Sequence, residues 1–185
     1  MPGRSSAANP PKRIMFVCSG NICRSPLAHA VFQDLVDRAG VSDRYIIESS
    51  GTSAYHAGDQ ADPRMRQTAH RHGVALDHRA RQLMQQDLEE YDMILVMDRS
   101  NYTSVRSLTA FQSLASGKRY LEKVRMFRDF DPAVTSGGGA AEVPDPYYGD
   151  MGDFEQVFEI VMRTSRNLLA ELEGGNAASN VHENG

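Results

Sequence analysis

The sequence predicts an α/β fold of three layers, in which a four-stranded parallel sheet carries helices on both faces. Three observations predict it. Four short runs of β-branched and large apolar residues, RIMFV (13–17), YIIES (45–49), MILVM (93–97) and KVRMF (123–127), have the length and composition of strands buried in a sheet. Helical patterns fill the intervals between and after them. Alternation of strand and helix implies right-handed βαβ crossovers, so the sheet is parallel, doubly wound and covered on both sides.

Taken in order, residues 1–12 are rich in Pro, Ser and Ala and are expected to form a disordered tail. The first strand, 13–17, runs into a short polar loop, and PLAHAVFQDLVDRAG (26–40) follows as a helix that ends on Gly40. After the second strand, ADPRMRQTAHRHG (61–73) is a helix ending likewise on Gly73. The third strand leads through Asp98 into the helical SNYTSVRSLTAF (100–111). Beyond the fourth strand, TSGGG (135–139) is expected to be a flexible insertion, and DFEQVFEIVMRTSRNLLAELE (153–173) the last helix. The polar GGNAASNVHENG (174–185) has almost nothing to bury and is expected to be a second disordered tail, leaving one domain over 13–173.

Composition narrows the function. A chain of 185 residues, 41% hydrophobic, can bury the core of one domain. A formal net charge of −4 speaks against a protein that neutralises nucleic-acid phosphates. Only two cysteines are present, Cys18 and Cys23, a spacing that makes neither a disulfide framework nor a paired zinc site. A reducing compartment, the cytoplasm, follows, with signal-independent export still compatible. The apolar runs are strand-sized and the opening residues lack an apolar leader core, so neither a membrane span nor a signal peptide is expected. Six histidines without a helical i, i+4 pair beside a carboxylate give no metal site, and no cofactor is expected. The basic and imidazole residues between Arg64 and Arg81 are expected to be a solvated helix face.

The densest chemistry lies in VCSGNICRS, residues 17–25. Pro26 suits the first turn of a helix, so residues 18–25 feed a helix N-terminus whose free N–H groups point into the loop. Gly20 and Asn21 tolerate left-handed backbone, which lets those amides converge on one anion. A cysteine at the start of such a cradle is expected to have its thiolate stabilised by the helix dipole and by nearby Arg24. Cys18 is thus the candidate nucleophile, and the planar fork of Arg24 can hold two oxygens of a phosphoryl group. Ser25 can donate to the sulfur. An alkoxide or phenolate leaving group also needs a proton, and VPDPYYGD (143–150) offers Asp145 between two prolines, with Tyr147 and Tyr148 as walls for a flat aromatic group.

These residues resemble the low-molecular-weight protein tyrosine phosphatase family: C-x5-R-S after the first strand, D-P-Y-Y far downstream, HRARQ (78–82) and MDRSN (97–101). The larger tyrosine phosphatases carry their loop late in the chain behind a His-Cys pair, whereas here Val17 precedes Cys18. The resemblance spans about residues 13–173 and implies the phosphotyrosine phosphatase I-like fold. It implies that Cys18 becomes phosphocysteine, Arg24 clamps phosphate, and Asp145 is first acid and then base. Ser19, Gly20, Asn21, Ile22 and Cys23 complete the phosphate loop. Asn21 would be held strained by Ser25, Ser49 and His78, with Asp98 a structural aspartate nearby. Tyr55, beside His56 in the variable loop, would join Tyr147 and Tyr148 in the substrate pocket. Cys23 matches a second loop cysteine that in relatives bonds the nucleophile reversibly under oxidation. The partners implied are phosphotyrosine-containing proteins, with phosphate or vanadate as inhibitors, and the chain is expected to be a monomer.

Ser19 stands where some relatives have leucine, and the loop after the fourth strand is longer than usual. Both bear on substrate preference and on the presentation of Asp145. Arsenate reductases of this fold need two further cysteines downstream, and none follows Cys23. Phosphoarginine phosphatases on this scaffold have threonine where this loop has Ile22, whose bulk suits an aryl phosphate. A noncatalytic phosphotyrosine-binding module would usually lack the nucleophile or the acid, and both are present.

Overall fold

In the computed structural model, residues 9–110, 119–134 and 141–181 are described, with side chains as far as residue 174. Strands β1 (Lys12–Cys18), β2 (Tyr45–Gly51), β3 (Met93–Val96) and β4 (Val124–Met126) form one sheet in the order β2-β1-β3-β4. All three pairings are parallel. The α-helices bounded among the described residues are α1 (Arg24–Arg38), α2 (Pro63–Arg71), α3 (Gln85–Glu90), α4 (Arg99–Leu108) and α5 (Met151–Val181), and residues 119–122 are helical as well.

The period of two along β1 builds the three layers. Ile14, Phe16 and Cys18 point to one face, where they meet α1, α2 and α5 through residues such as Phe32, Met65 and Phe154. Met15 and Val17 point to the other, against Leu88 of α3 and Val105 of α4. Phe16 sits at the centre of the first face, edge-on to Phe32 at 6.0 Å and to Phe127 at 5.3 Å.

Order and direction position the site. From β1 the chain winds outward to β2 over one face, and from β3 outward to β4 over the other, so the loops after β1 and β3 diverge and leave a crevice at the carboxyl ends of those strands. Asp98 starts α4 there: its carboxylate accepts from Asn101 N at 2.7 Å, and Asn101 Oδ1 accepts in return from Asp98 N at 3.2 Å.

Several boundaries differ from the sequence pattern. Helix α1 begins at Arg24, two residues before Pro26, which still lies in the first turn where its missing N–H costs nothing. Helix α3 is an addition. Its QQDLEE is too short and polar to show a hydrophobic period, and it is started by the Asp87 carboxylate, which accepts from Met84 N at 2.8 Å. Helix α5 runs past residue 173 to Val181. The TSGGG insertion (135–139), Phe111 and residues 1–8 and 182–185 lie outside the described residues.

Candidate active site

Cys18 ends β1 and is buried, and α1 starts six residues later at Arg24. Between them Asn21 has φ +56°, the one non-glycine residue with left-handed backbone among those described. Such a conformation costs about 1–3 kcal/mol and persists only where its surroundings fix it. Here every polar atom of the side chain is used. Asn21 Nδ2 donates to Ser25 Oγ at 2.8 Å and to Ser49 Oγ at 3.1 Å. Its Oδ1 accepts from Arg81 N at 2.9 Å and from His78 Nε2, also at 2.9 Å. Asn21 O lies 3.1 Å from the same His78 nitrogen. Both partners are acceptors, which assigns the proton to Nε2.

With the backbone so turned, Asn21 N–H points at Cys18 Sγ, 3.3 Å away. Ser25 Oγ lies 3.0 Å from the sulfur and 3.2 Å from the Ser50 carbonyl. Its single hydrogen therefore has two acceptors in reach. The outer side of the loop is zipped to the end of β2: Thr52 N donates to Cys18 O at 2.9 Å and Ser53 N to Ser19 O at 3.0 Å. That approach requires Gly51, since a Cβ there would fall 2.6 Å from Ser19 O and 3.1 Å from Asn21 N. Asn101 Nδ2 donates to Ser19 Oγ at 3.0 Å, tying the loop to α4.

The Arg24 side chain is almost wholly buried and spans the crevice. Its Nη1 donates to Asp98 Oδ2 at 2.6 Å and to Val143 O at 3.1 Å, and its Nη2 to Asp145 Oδ2 at 3.3 Å. Burial opposes the charge, but Cys18, Asp98 and Asp145 outweigh it and hold the guanidinium protonated. Asp145 is half exposed, and its Oδ1 accepts from Tyr147 N at 3.2 Å. Its segment is fixed upstream by Val143 N, which donates to Met97 O at 2.8 Å. Burial, and next the negative charge of Asp62, push the Cys23 thiol up, so it stays protonated at neutral pH.

These groups open on a cavity of about 370 Å³ floored by Cys18, Gly20 and Arg24. Ile22, Tyr55, His56, Asp145, Tyr147 and Tyr148 wall it. Tyr55 and Tyr148 are 87% and 98% exposed, so they stand as rims with free aromatic faces. The structure thus brings the sequence-predicted residues together: Cys18, Arg24 and Asp145 across the crevice, Ser25, Asn21, Ser49 and His78 beneath the loop, the tyrosines above. Sequence reasoning missed Gly51, Ser50, Arg81, Asn101, Asp62 and Arg64. The small residues of SSG at the end of β2 were the available signal for the first two.

The basic stretch from Arg64 to Arg81 is not one solvated helix face. Arg64 pairs with Asp62, Arg71 and His72 with Glu155, and Arg81 with Asp87, while His78 sits under the loop. Only Arg64 to Arg71 are helical, and Gly73 turns the chain out of that helix. Among the described residues no group of three His, Cys, Asp or Glu could hold a metal ion, and no helix is long and apolar enough to cross a membrane.

The Asn21 amide aimed at Cys18, a helix N-terminus and a buried arginine lie together at the switch point of a doubly wound sheet, an arrangement suited to an oxyanion. Comparison with known proteins narrows the class. The sequence matches the family model of low molecular weight phosphotyrosine protein phosphatases over residues 13–177. It is 43% identical over 160 residues to a low molecular weight protein-tyrosine-phosphatase of Streptomyces coelicolor, covering 86% of this chain and 93% of the relative. The crystal structure of a protein tyrosine phosphatase from Entamoeba histolytica superposes with a TM-score of 0.79 at 35% identity, covering 89% of this chain and 99% of that one. A Drosophila arginine phosphatase shares the architecture, with a TM-score of 0.75 at 24% identity over 86% of this chain and 96% of its own. The chain belongs to the low molecular weight phosphotyrosine protein phosphatase family.

Proposed function

We propose that this protein hydrolyses phosphotyrosine monoesters in proteins through a phosphocysteine intermediate. The observation that carries the reading is the thiol of Cys18 set between Asn21 N–H and Ser25 Oγ, with Arg24 linking that cradle to the Asp145 carboxylate. The phosphoryl oxygens take the loop amides and the Arg24 fork. The Cys18 thiolate attacks phosphorus, the bond from phosphorus to the phenolic oxygen breaks, and Asp145 gives that oxygen its proton. Asp145, now a carboxylate, takes a proton from water as the water attacks phosphorus. The sulfur–phosphorus bond breaks, phosphate leaves and the thiolate returns. Arg24 compensates the equatorial charge in both steps.

Aromatic rims and the apolar Ile22 fit an aryl ester better than a guanidinium, which favours phosphotyrosine over phosphoarginine. With no cysteine after Cys23, a disulfide relay of the arsenate reductase kind has no resolving thiol. The phosphate product and vanadate compete for the same cradle, and a cytoplasmic monomer acting without metal completes the reading. The test is hydrolysis of phosphotyrosine, phosphoserine and phosphoarginine at matched concentrations. Phosphotyrosine is expected to be preferred, and Cys18→Ser to lose activity by about 10⁴-fold or more. Turnover retained in that variant would refute covalent catalysis by this sulfur.

A further inference from the structure

We propose that Arg64 is a positioning residue for the proton donor, holding the Tyr147 ring and with it the Asp145 segment over the phosphate loop. The inference rests on the reading of Asp145 as the acid.

The brace starts inside the phosphate loop. Asp62 N donates to Ile22 O at 2.8 Å, which fixes the start of α2 against the cradle. The Asp62 carboxylate is buried and takes the planar fork of Arg64, Nε at 3.0 Å and Nη2 at 2.8 Å, as well as Arg64 N at 2.8 Å. The fork leaves the guanidinium one orientation. Among the described residues its aromatic neighbours are Tyr147, with the ring centroid 5.6 Å from Cζ, and Phe154, at 4.6 Å. Phe154 is fully buried in the first turn of α5, so it is the fixed jaw. Tyr147 is the jaw that belongs to the acid segment, and its own N–H holds Asp145 Oδ1.

The segment needs such a clamp. It is anchored at one end by Val143 N on Met97 O, and at the other by Asp150 N, which donates to Asp153 Oδ2 at 2.8 Å. Between those anchors Asp145 touches Arg24 and Tyr147 touches Arg64. A bound phosphoryl group draws Arg24 Nη2 to its own oxygens, and the contact with Asp145 is lost at the moment the acid must be in place. The Arg64 clamp does not compete with phosphate, because its charge is already matched by Asp62.

The experiment is kcat/KM, which reports the steps through the first bond cleavage, for a series of aryl phosphates from acidic phenols to phosphotyrosine. It is run on the intact chain, Arg64→Met, Tyr147→Leu, the double variant and Asp145→Asn. Arg64→Met is expected to lose about tenfold or more on phosphotyrosine and little on the most acidic leaving group, since misplacing the donor costs only where a proton is needed. Tyr147→Leu leaves the Asp62 pair intact and should steepen the same dependence, with the double variant no worse than the more impaired single one. Equal losses across the series, or none in either single variant, would overturn the proposal. If Asp145→Asn itself fails to steepen the series, the assignment of the acid falls rather than the clamp.

Discussion

His29 shows what burial does to one side chain. Lying on α1, its ring faces His78 edge-on at 6.4 Å, and burial lowers its pKa from 6.5 to about 4. His78 is lowered too, first by burial and then by His29. A histidine held neutral in the fold but free to take a proton when unfolded makes acid favour the unfolded chain. The window runs from pH 6.5 down to about 4, and above 6.5 the effect vanishes because both states are neutral. His29→Gln should therefore leave stability at pH 7.5 little changed and flatten its fall toward pH 4.5. Urea denaturation of both proteins at the two values checks this, and parallel falls would reject it. The neighbouring Cys23 works in the opposite sense: burial raises its pKa and favours the protonated thiol.

At the scale of elements, the loop from Cys18 to Arg24 is shaped as much by β2 as by its own sequence. Gly51 admits Ser19 O and Asn21 N where a methyl group would stand. Both neighbours are main chain and cannot swing aside, so Gly51→Ala must push the loop out of register or part it from β2. The expected outcome is a loss of about 10²-fold in kcat and weaker vanadate inhibition, with the fold retained by circular dichroism. Unaltered inhibition would mean that the strand end yields instead. Neither contact is visible in a linear reading, because Gly51 and Ser19 are brought together only by the parallel register of β1 and β2. The grouping of Cys18, Asn21 and Arg24, the proposed nucleophile, its support and the proposed clamp, was legible because they occupy one stretch whose residue types all suit one purpose.

Across the whole molecule, α5 is fastened to the far edge of the sheet by Asp131. Its buried carboxylate takes Arg163 Nε at 2.7 Å and Nη2 at 2.8 Å, and Arg128 Nε at 2.9 Å. Burial raises its pKa, but the hydrogen bonds from the two arginines win and hold it well below the ordinary 3.8. The stabilisation is complete at neutral pH and is lost only as pH falls below that value. Asp131→Ala should cost about 1.5–3 kcal/mol at pH 7, the range for hydrogen bonds to charged groups, the arginines being free to turn to water. A thermal melt is the measurement, and an unchanged midpoint would dismiss the anchor. Alternation of apolar runs was enough to announce the sheet and its covering helices. Long-range polar ties such as Asp131 with Arg163, or Asp62 with Arg64 beneath Tyr147, leave no periodic trace and surface only once the chain is folded.

The lone hydrogen of Ser25 has a further consequence for the proposed chemistry. On the proposed mechanism that hydrogen would face the sulfur when the thiolate is bare and the Ser50 carbonyl when the sulfur is esterified, both acceptors being within reach. Each turnover would then break and restore one hydrogen bond to Ser50 of β2.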